Sequence, residues 1–313
     1  MPKLSVIVPI YGAEKYIECC ARSLFEQTLE DIEFLFIDDC SPDDSIKILK
    51  CVLKEYPQRE KQVTIHRMAQ NGGQAIAREW GVRNATGEYI THCDSDDWVD
   101  VRMYENMYEV AKAEKSDIVI CDFCVTDGKG YSRRIKASKT ETKRFLENCL
   151  YGRCSWSLCN KLIQRHLYSN IEFPHKSMGE DFAIMTQLLE KANKISYIPE
   201  VFYYYYQNSD STIHKVSEEA ILQRFYQLSE NTNIVIKHLG QSSNYKNIIR
   251  LLKPYLLMNA CIPLLGLFAN EKYRLMWRQS CPHLSLWYLV KTPFPIYSKY
   301  TYLKYSIKYW FKK

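Results

Sequence analysis

Two runs near the N-terminus are apolar at almost every position, and the second stops at a pair of carboxylates. Leu4–Ile10 reads as one strand, and Phe34–Ile37, leading into Asp38-Asp39, as another. A strand that is apolar throughout, not at alternate residues only, has both faces covered, as in a parallel sheet between layers of helices. The intervening segments agree. Ile17, Cys20 and Leu24 fall at i, i+3 and i+7, and Ile46, Leu49 and Leu53 repeat that helical stripe. Val63–His66 predicts a third strand, Gln74–Asn84 a helix of small residues, and Glu88–Cys93 a fourth strand. Met103, Met107 and Val110 give another helical stripe before the strand Asp117–Phe123. Such alternation specifies an α/β fold: a Rossmann-like, mostly parallel sheet flanked by helices. Sheets of this kind bind ligands at the carboxyl ends of their strands.

The second half is less regular. A basic loop, Gly128 to Lys136, precedes a helix that Ser138 and Glu141 would open as a capping box. Trp156 to Lys161 follows, then the helix Glu180–Ala192 with Phe182, Met185 and Leu189 inward, and an aromatic strand, Val201–Tyr206. From about residue 215 the pattern is helical and increasingly aromatic.

Length and composition bound the function. At 313 residues the chain accommodates one large domain with appendages. The apolar run after Lys3 is too short for an export signal and is broken by Pro9. No uninterrupted apolar stretch approaches the roughly 20 residues of a spanning helix. Cytoplasmic residence is the expectation, with the twelve cysteines, at no zinc spacing, as reduced thiols. The net charge of +6 is matched by six lysines in residues 284–313, a stretch without an acid, so residues 1–283 sum to zero. A nucleic-acid-binding body is therefore not expected.

The strand ends carry the chemistry. Asp38-Asp39 continue an apolar strand, and ionised carboxylates there accept hydrogen bonds from a base or from ribose hydroxyls. Asp43, Asp44 and Ser45 read as caps of the next helix. After the fourth strand comes Asp94-Ser95-Asp96-Asp97. Residues two apart on a strand face the same way, so Asp94 and Asp96 would stand together and invite a hard cation, Mg²⁺ or Mn²⁺. The plainer alternative is an acidic turn opening a helix at Trp98, with Asp97 its cap. Asn71-Gly72-Gly73, ahead of Ala77 and Arg78, allows close backbone approach to a phosphate at a helix N-terminus, but is no Walker loop. Gly179-Glu180-Asp181 opens the Phe182 helix, where acids also suit the helix dipole.

In this order the pieces resemble the family 2 glycosyltransferases, which have the A-type glycosyltransferase fold. The matching residues are Leu4 to Tyr11, Ser23 to Thr28, Ile37 to Asp43, Asn71-Gly72-Gly73 with Ala77-Arg78, Asp94 to Asp97, Asn160-Lys161 and Gly179-Glu180-Asp181. The resemblance covers about residues 3–213 and makes 1–213 a catalytic domain, with a nucleotide-sugar half (1–125) and an acceptor half (126–213). Residues 214–313 form a helical, aromatic and basic extension.

The resemblance implies transfer of a sugar, with inversion, from a nucleotide-sugar (a UDP-sugar) to an acceptor hydroxyl on a glycan or lipid-linked molecule, in bacterial surface-polysaccharide assembly. It implies that Pro9 and Tyr11 line the nucleotide pocket, that Asp39 accepts the uracil N3–H, and that Asp38 reaches the ribose. Asn71, Gly73 and Arg78 would lie by the diphosphate, Asp94 by ribose or sugar, and Asp96 on Mn²⁺ or Mg²⁺. Asp181 would be the general base; Asp97, Trp156 and Glu180 are candidates for substrate contact. Gln207 stands where the family motif after Tyr203–Tyr206 usually has Arg; Ser211 and Thr212 remain.

Two other readings compete. A nucleotidyltransferase would carry a glycine-rich, basic loop after the first strand, where Tyr11-Gly12-Ala13-Glu14 stands. A non-catalytic nucleotide-sugar-binding protein would tolerate loss of Asp96 or Asp181. The tail, residues 284–313, interleaves its lysines with ten Tyr, Trp and Phe residues, which suits an anionic membrane surface on the inner leaflet. A helix docked on the catalytic domain is the alternative.

Overall fold

The computed structural model describes residues 1–137, 142–207, 216–281, 288, 299–300 and 303–304. The capping box at Ser138 and Glu141, Ser211, Thr212, the boundary at 213 and most of 284–313 lie outside the described residues.

The elements run β1 (Leu4–Ile10), α1 (Ile17–Phe25), β2 (Ile32–Asp38), α2 (Ser45–Leu53), β3 (Val63–Arg67), α3 (Gln74–Asn84), β4 (Tyr89–His92), β5 (Trp98–Val99), α4 (Met103–Glu114) and β6 (Ile118–Thr126). There follow β7 (Ser132–Ile135), α5 (Thr142–Leu150), β8 (Lys161–Gln164), α6 (Glu180–Lys191), β9 (Ile195–Tyr206), α7 (Glu218–Gln241), α8 (Lys246–Cys261) and α9 (Glu271–Ser280).

One sheet holds all the strands in the order β3-β2-β1-β4-β8-β6-β9-β5, with β7 paired to β6. β3, β2, β1 and β4 are parallel, as the apolar runs predict. The other half is mixed: β8 runs antiparallel to both β4 and β6, β9 parallel to β6, and β5 antiparallel to β9. β5 and β8 span only two and four residues, too few for a period to show. No helix opens at Trp98. Trp98 and Val99 pair with Tyr204 and Tyr203, and α4 begins at Met103.

Alternation along β1 divides its side chains between two cores. Leu4, Val6, Val8 and Ile10 join Leu24 of α1 and Met103 and Met107 of α4. Ile7 joins Ala77 of α3, Phe145 of α5, and Ile184 and Leu188 of α6. Val235 and Leu239 of α7 and Ile249, Leu252 and Tyr255 of α8 belong to that second core too. Lys246–Leu267 is the one helix among the described residues long and apolar enough, by composition, to cross a membrane, and 44% of that window is buried here. Arg250 and Lys253 interrupt its apolar run.

The small residues of α3 let it lie close on β1. A Cβ on Gly81 would stand 2.5 Å from Cγ2 of Ile7. Gly81→Ala should therefore cost about 1–3 kcal/mol, the usual penalty of overpacking. Urea unfolding checks this, and an unchanged midpoint would mean that α3 lifts freely from the sheet.

Candidate active site

At the end of β2 both carboxylates are buried and already employed. Asp38 accepts the Ser41 amide on Oδ1 (2.7 Å) and Arg67 on Oδ2 (2.7 Å). Asp39 accepts the amides of Gly72 and Gly73, each at 2.8 Å. It thereby ties the Asn71-Gly72-Gly73 loop to the strand end, so two motifs read separately form one structure. A carboxylate has about four acceptor positions, so Asp39 retains capacity for a ligand N–H. Gly73 needs its φ of +85°, and a Cβ there would stand 2.8 Å from Ser177 Oγ.

Asp44, the N-cap residue of α2, makes no side-chain cap bond, but its neighbour Asp43 accepts the amide of Ser45, the first residue of that helix, at 3.2 Å. The same run also reaches across to the loop after β1. Ser41 Oγ accepts from Gly12 N (2.9 Å), Ser45 Oγ from Ala13 N (3.0 Å) and Asp43 from Glu14 N (3.0 Å). Partial burial opposes the charge of Asp43, but the Ser41 and Ser45 hydroxyls and the amides of Glu14 and Ser45 outweigh it and hold its carboxyl down at about 2. This scaffold carries Tyr11, which is 57% exposed. Pro9 is buried in β1 opposite Ile37.

Beyond β4 the chain turns at once. β4 stops at His92, and Asp94 to Asp97 form a turn closed by Asp97 N donating to Asp94 O at 3.1 Å. Strand alternation therefore does not set the directions of Asp94 and Asp96; the turn does. Asp97 is buried, accepting the Tyr203 hydroxyl and, at 2.7 Å, the Tyr206 amide. It fastens the turn to β9, which leaves it little access to a substrate. Burial, with the charges of Asp94 and Asp96 added, pushes its carboxyl well above the usual range despite those two donors. Asp96 is half-buried in the same turn.

Among the described residues no three His, Cys, Asp or Glu side chains form a metal cluster. The turn nonetheless fits a divalent ion. Its donors are hard oxygens, the carboxylates of Asp94 and Asp96 carried on one tight turn. Mg²⁺ or Mn²⁺ held there would complete its shell with water and phosphate oxygens.

Arg78 joins this turn to α6. Its guanidinium, fully buried, donates to Asp94 Oδ1 (2.6 Å), to Asp181 Oδ1 (2.8 Å) and to Glu180 Oε1. Gln74 also donates to Asp94 Oδ1, at 2.8 Å. Three carboxylates thus share one cation. Glu180 is sealed, with its side chain 4% exposed, whereas Asp181 is 31% exposed. Burial raises the Asp181 carboxyl above its ordinary range; Arg78 and Lys161 pull it down and Asp94 pushes it up. Burial likewise takes Glu180 up to about 8, with Asp181 and Asp94 adding to the rise and Arg78 opposing it.

The sign for Glu180 follows from linkage. Its folded-state proton is held more tightly than in the unfolded chain. The stability it contributes is complete at acid pH and is lost as pH rises from about 4.3, its unfolded value, through about 8. Glu180→Gln removes this titration. Thermal unfolding should then show a smaller drop in Tm between pH 6 and pH 9 than the parent shows; an equal drop would remove Glu180 as its source.

Trp156 packs edge-on against Phe182 of α6, ring centroids 4.8 Å apart, and so stands beside the Asp181 turn. Lys161 explains how. Its buried ammonium donates to the carbonyls of Ser155 and Ser157 and to Asn160 Oδ1 (2.9 Å), holding the loop that carries Trp156. Asn160 in turn donates to Cys121 O at 2.6 Å. Sequence reasoning assigned no role to Gln74, Lys161 or Tyr203; a polar residue spaced on α3 with Arg78 was the available signal for Gln74. All twelve cysteines are free thiols.

Residues 5–175 match the model for "Glycosyl transferase family 2". The chain is 30% identical over 279 residues to "Uncharacterized glycosyltransferase EpsJ" of Bacillus subtilis, covering 83% of this chain and 79% of that protein. Its fold is similar to that of S. aureus TarS 1–349 in complex with UDP, with TM-score 0.63, 21% identity, and 82% and 71% of the two chains covered. It is also similar to the mannosyltransferase PcManGT of Pyrobaculum calidifontis in complex with GDP-Man and Mn²⁺, with TM-score 0.59, 16% identity, and 100% and 88% covered. With the strand-end acids, the glycine loop and the Asp94–Asp97 turn gathered at one end of an A-type glycosyltransferase sheet, the chain belongs to glycosyl transferase family 2.

Proposed function

We propose that this glycosyltransferase moves a sugar from a UDP-sugar to an acceptor hydroxyl with inversion of the anomeric centre. The observation that carries the reading is the Arg78 bridge, which sets a partly exposed carboxylate, Asp181, beside the donor-side Asp94. Tyr11 stacks on the base, and Asp39 accepts a base N–H while bracing the Asn71–Gly73 loop. Asp94 faces ribose or sugar. Asp181, the most accessible of the three carboxylates, takes the acceptor proton as attack begins, and one in-line displacement yields the inverted product. Asp96 would hold a divalent ion, which when bound would supply Lewis-acid stabilisation for the charge on the departing diphosphate. Trp156 offers an aromatic face to a sugar.

The acceptor in this reading is a glycan or a lipid-linked molecule of bacterial surface-polysaccharide assembly. The lysines and aromatics of residues 284–313 hold the protein on the anionic inner face of the membrane. UDP binding in TarS is consistent with the donor class, and Mn²⁺ in PcManGT with the ion.

Incubation with a panel of UDP-sugars and GDP-sugars tests the proposal. UDP release from one UDP-sugar, with a product anomer opposite to the donor's by NMR, is the expected result. Turnover of GDP-sugars only, or retention of configuration, contradicts it.

A further inference from the structure

We infer that α7, in the C-terminal extension, is part of the catalytic unit, and that Asn231 on it is a positioning residue for the base. This rests on the reading of Asp181 as general base.

Four residues, Lys176 to Gly179, lead directly into Glu180-Asp181, and one face of α7 grips them. Asn231, fully buried, donates from Nδ2 to Lys176 O (2.8 Å) and to Met178 O (2.9 Å). One turn earlier, Gln227 Oε1 accepts from Met178 N at 3.0 Å. Between them Leu228 closes on Gly179, where an added Cβ would stand 3.0 Å from Leu228 Cδ2. Gly179 sits at φ +80° as the N-cap of α6, a conformation that favours glycine. The backbone of this loop is thus fixed from one side by three residues at i, i+1 and i+4.

The other side of the loop meets the donor half. Ser177 Oγ lies 2.8 Å from where a Cβ on Gly73 would stand, and Gly73 is held by Asp39. A continuous chain of contacts therefore runs from α7 through the base loop to the nucleotide loop. Asn231 Oδ1 is buried without a hydrogen-bond partner. A buried amide with an unmet acceptor costs stability, so its two donated bonds are the feature that accounts for it. The loop sets the register of the first turn of α6, and with it the Asp181–Arg78 contact. A shift of 1 Å in a base's position can cost 100-fold in rate.

The experiment compares full-length Asn231→Ala, Asn231→Asp and Gln227→Ala with the parent. Asn231→Ala is expected to lower kcat about 10- to 30-fold with the donor KM within about twofold, on the scale of mispositioned catalytic groups. Asn231→Asp, which puts a carboxylate against two carbonyls, is expected to lower kcat further. Gln227→Ala, which removes one bond, is expected to fall between Asn231→Ala and the parent. The acid limb of the kcat/KM profile should move upward in both Asn231 variants as Arg78 loses its hold on Asp181. Unchanged kcat and acid limb per folded enzyme, with only Tm lowered, overturn the inference. If the Asn231 variants do not fold, the Gln227→Ala result alone decides it. Full activity of Asp181→Asn would instead overturn the base assignment itself, which separates the two failures.

Discussion

Asp181→Asn is expected to lower kcat at least 100-fold, the scale of general-base catalysis, while UDP affinity stays close to that of the parent. The substitution keeps size and one acceptor oxygen for Arg78 but cannot take a proton. The pH dependence has a defined sign. Burial and the neighbouring Asp94 raise the Asp181 carboxyl above the usual range even though Arg78 and Lys161 oppose them. A base works only when ionised, so kcat/KM should climb with pH through a value above about 4, the ordinary aspartate pKa. Arg78→Lys, which replaces a fork with a point charge, should move that limb higher. Steady-state kinetics from pH 4 to 9 reads both effects. Near-parental turnover by purified Asp181→Asn would remove this residue from the chemistry.

Arg78→Met is expected to be the most damaging single change to the fold. The guanidinium is the shared partner of Asp94, Glu180 and Asp181, and its own cation is strongly held there in spite of burial, by Glu180 first, then Asp94 and Asp181. Without it Asp94, Glu180 and Asp181 lose their shared donor, and those of them that are ionised repel one another in a low-dielectric pocket. Breaking a buried charge network by removing one partner costs about 3–5 kcal/mol. Denaturant unfolding at pH 7 measures this. Because protonating the carboxylates relieves the repulsion, the deficit should shrink at pH 5. A deficit under about 1 kcal/mol, the level of a surface ion pair, would show that the cluster is not held by Arg78.

What the sequence made legible follows from the range of the interactions involved. β1 and β2 declare themselves because burial on both faces writes an unbroken apolar run. α3 is visible in Ala75, Ala77 and Gly81, since only small residues let it approach Ile7. β5 and β8 are not visible: strands of two and four residues exist through their partners, Tyr203, Tyr204 and the edges of β4 and β6. Asp43, Asp44 and Ser45 read as helix caps by a local rule, which Asp43 meets by accepting the Ser45 amide; the rule could not show that Ser41, Asp43 and Ser45 also take amides some thirty residues back, from Gly12, Ala13 and Glu14. At the site, residue types were readable and pairings were not. Asp39 and the glycine loop each carried a signal, yet nothing in either says that the carboxylate holds the loop's amides. Arg78 was expected beside a diphosphate, and the structure gives it three carboxylate partners. Asp97 resembled its neighbours in sequence, and only the return of β9 distinguishes it as the buried one. Asn231 is one of many polar residues in a long helix, and its partners are carbonyls, which leave no trace in sequence.

The central claim is that the Asp39 and Asp94–Asp97 strand ends form a metal-assisted uridine diphosphate site. Calorimetric titration of the purified chain with UDP, with and without Mn²⁺ and with GDP as the comparison, tests it most directly, with Asp96→Ala alongside. The account predicts UDP binding that requires the ion, exceeds GDP binding, and is lost in Asp96→Ala. Binding of neither nucleotide at any ion concentration, or equal binding by Asp96→Ala, would contradict it.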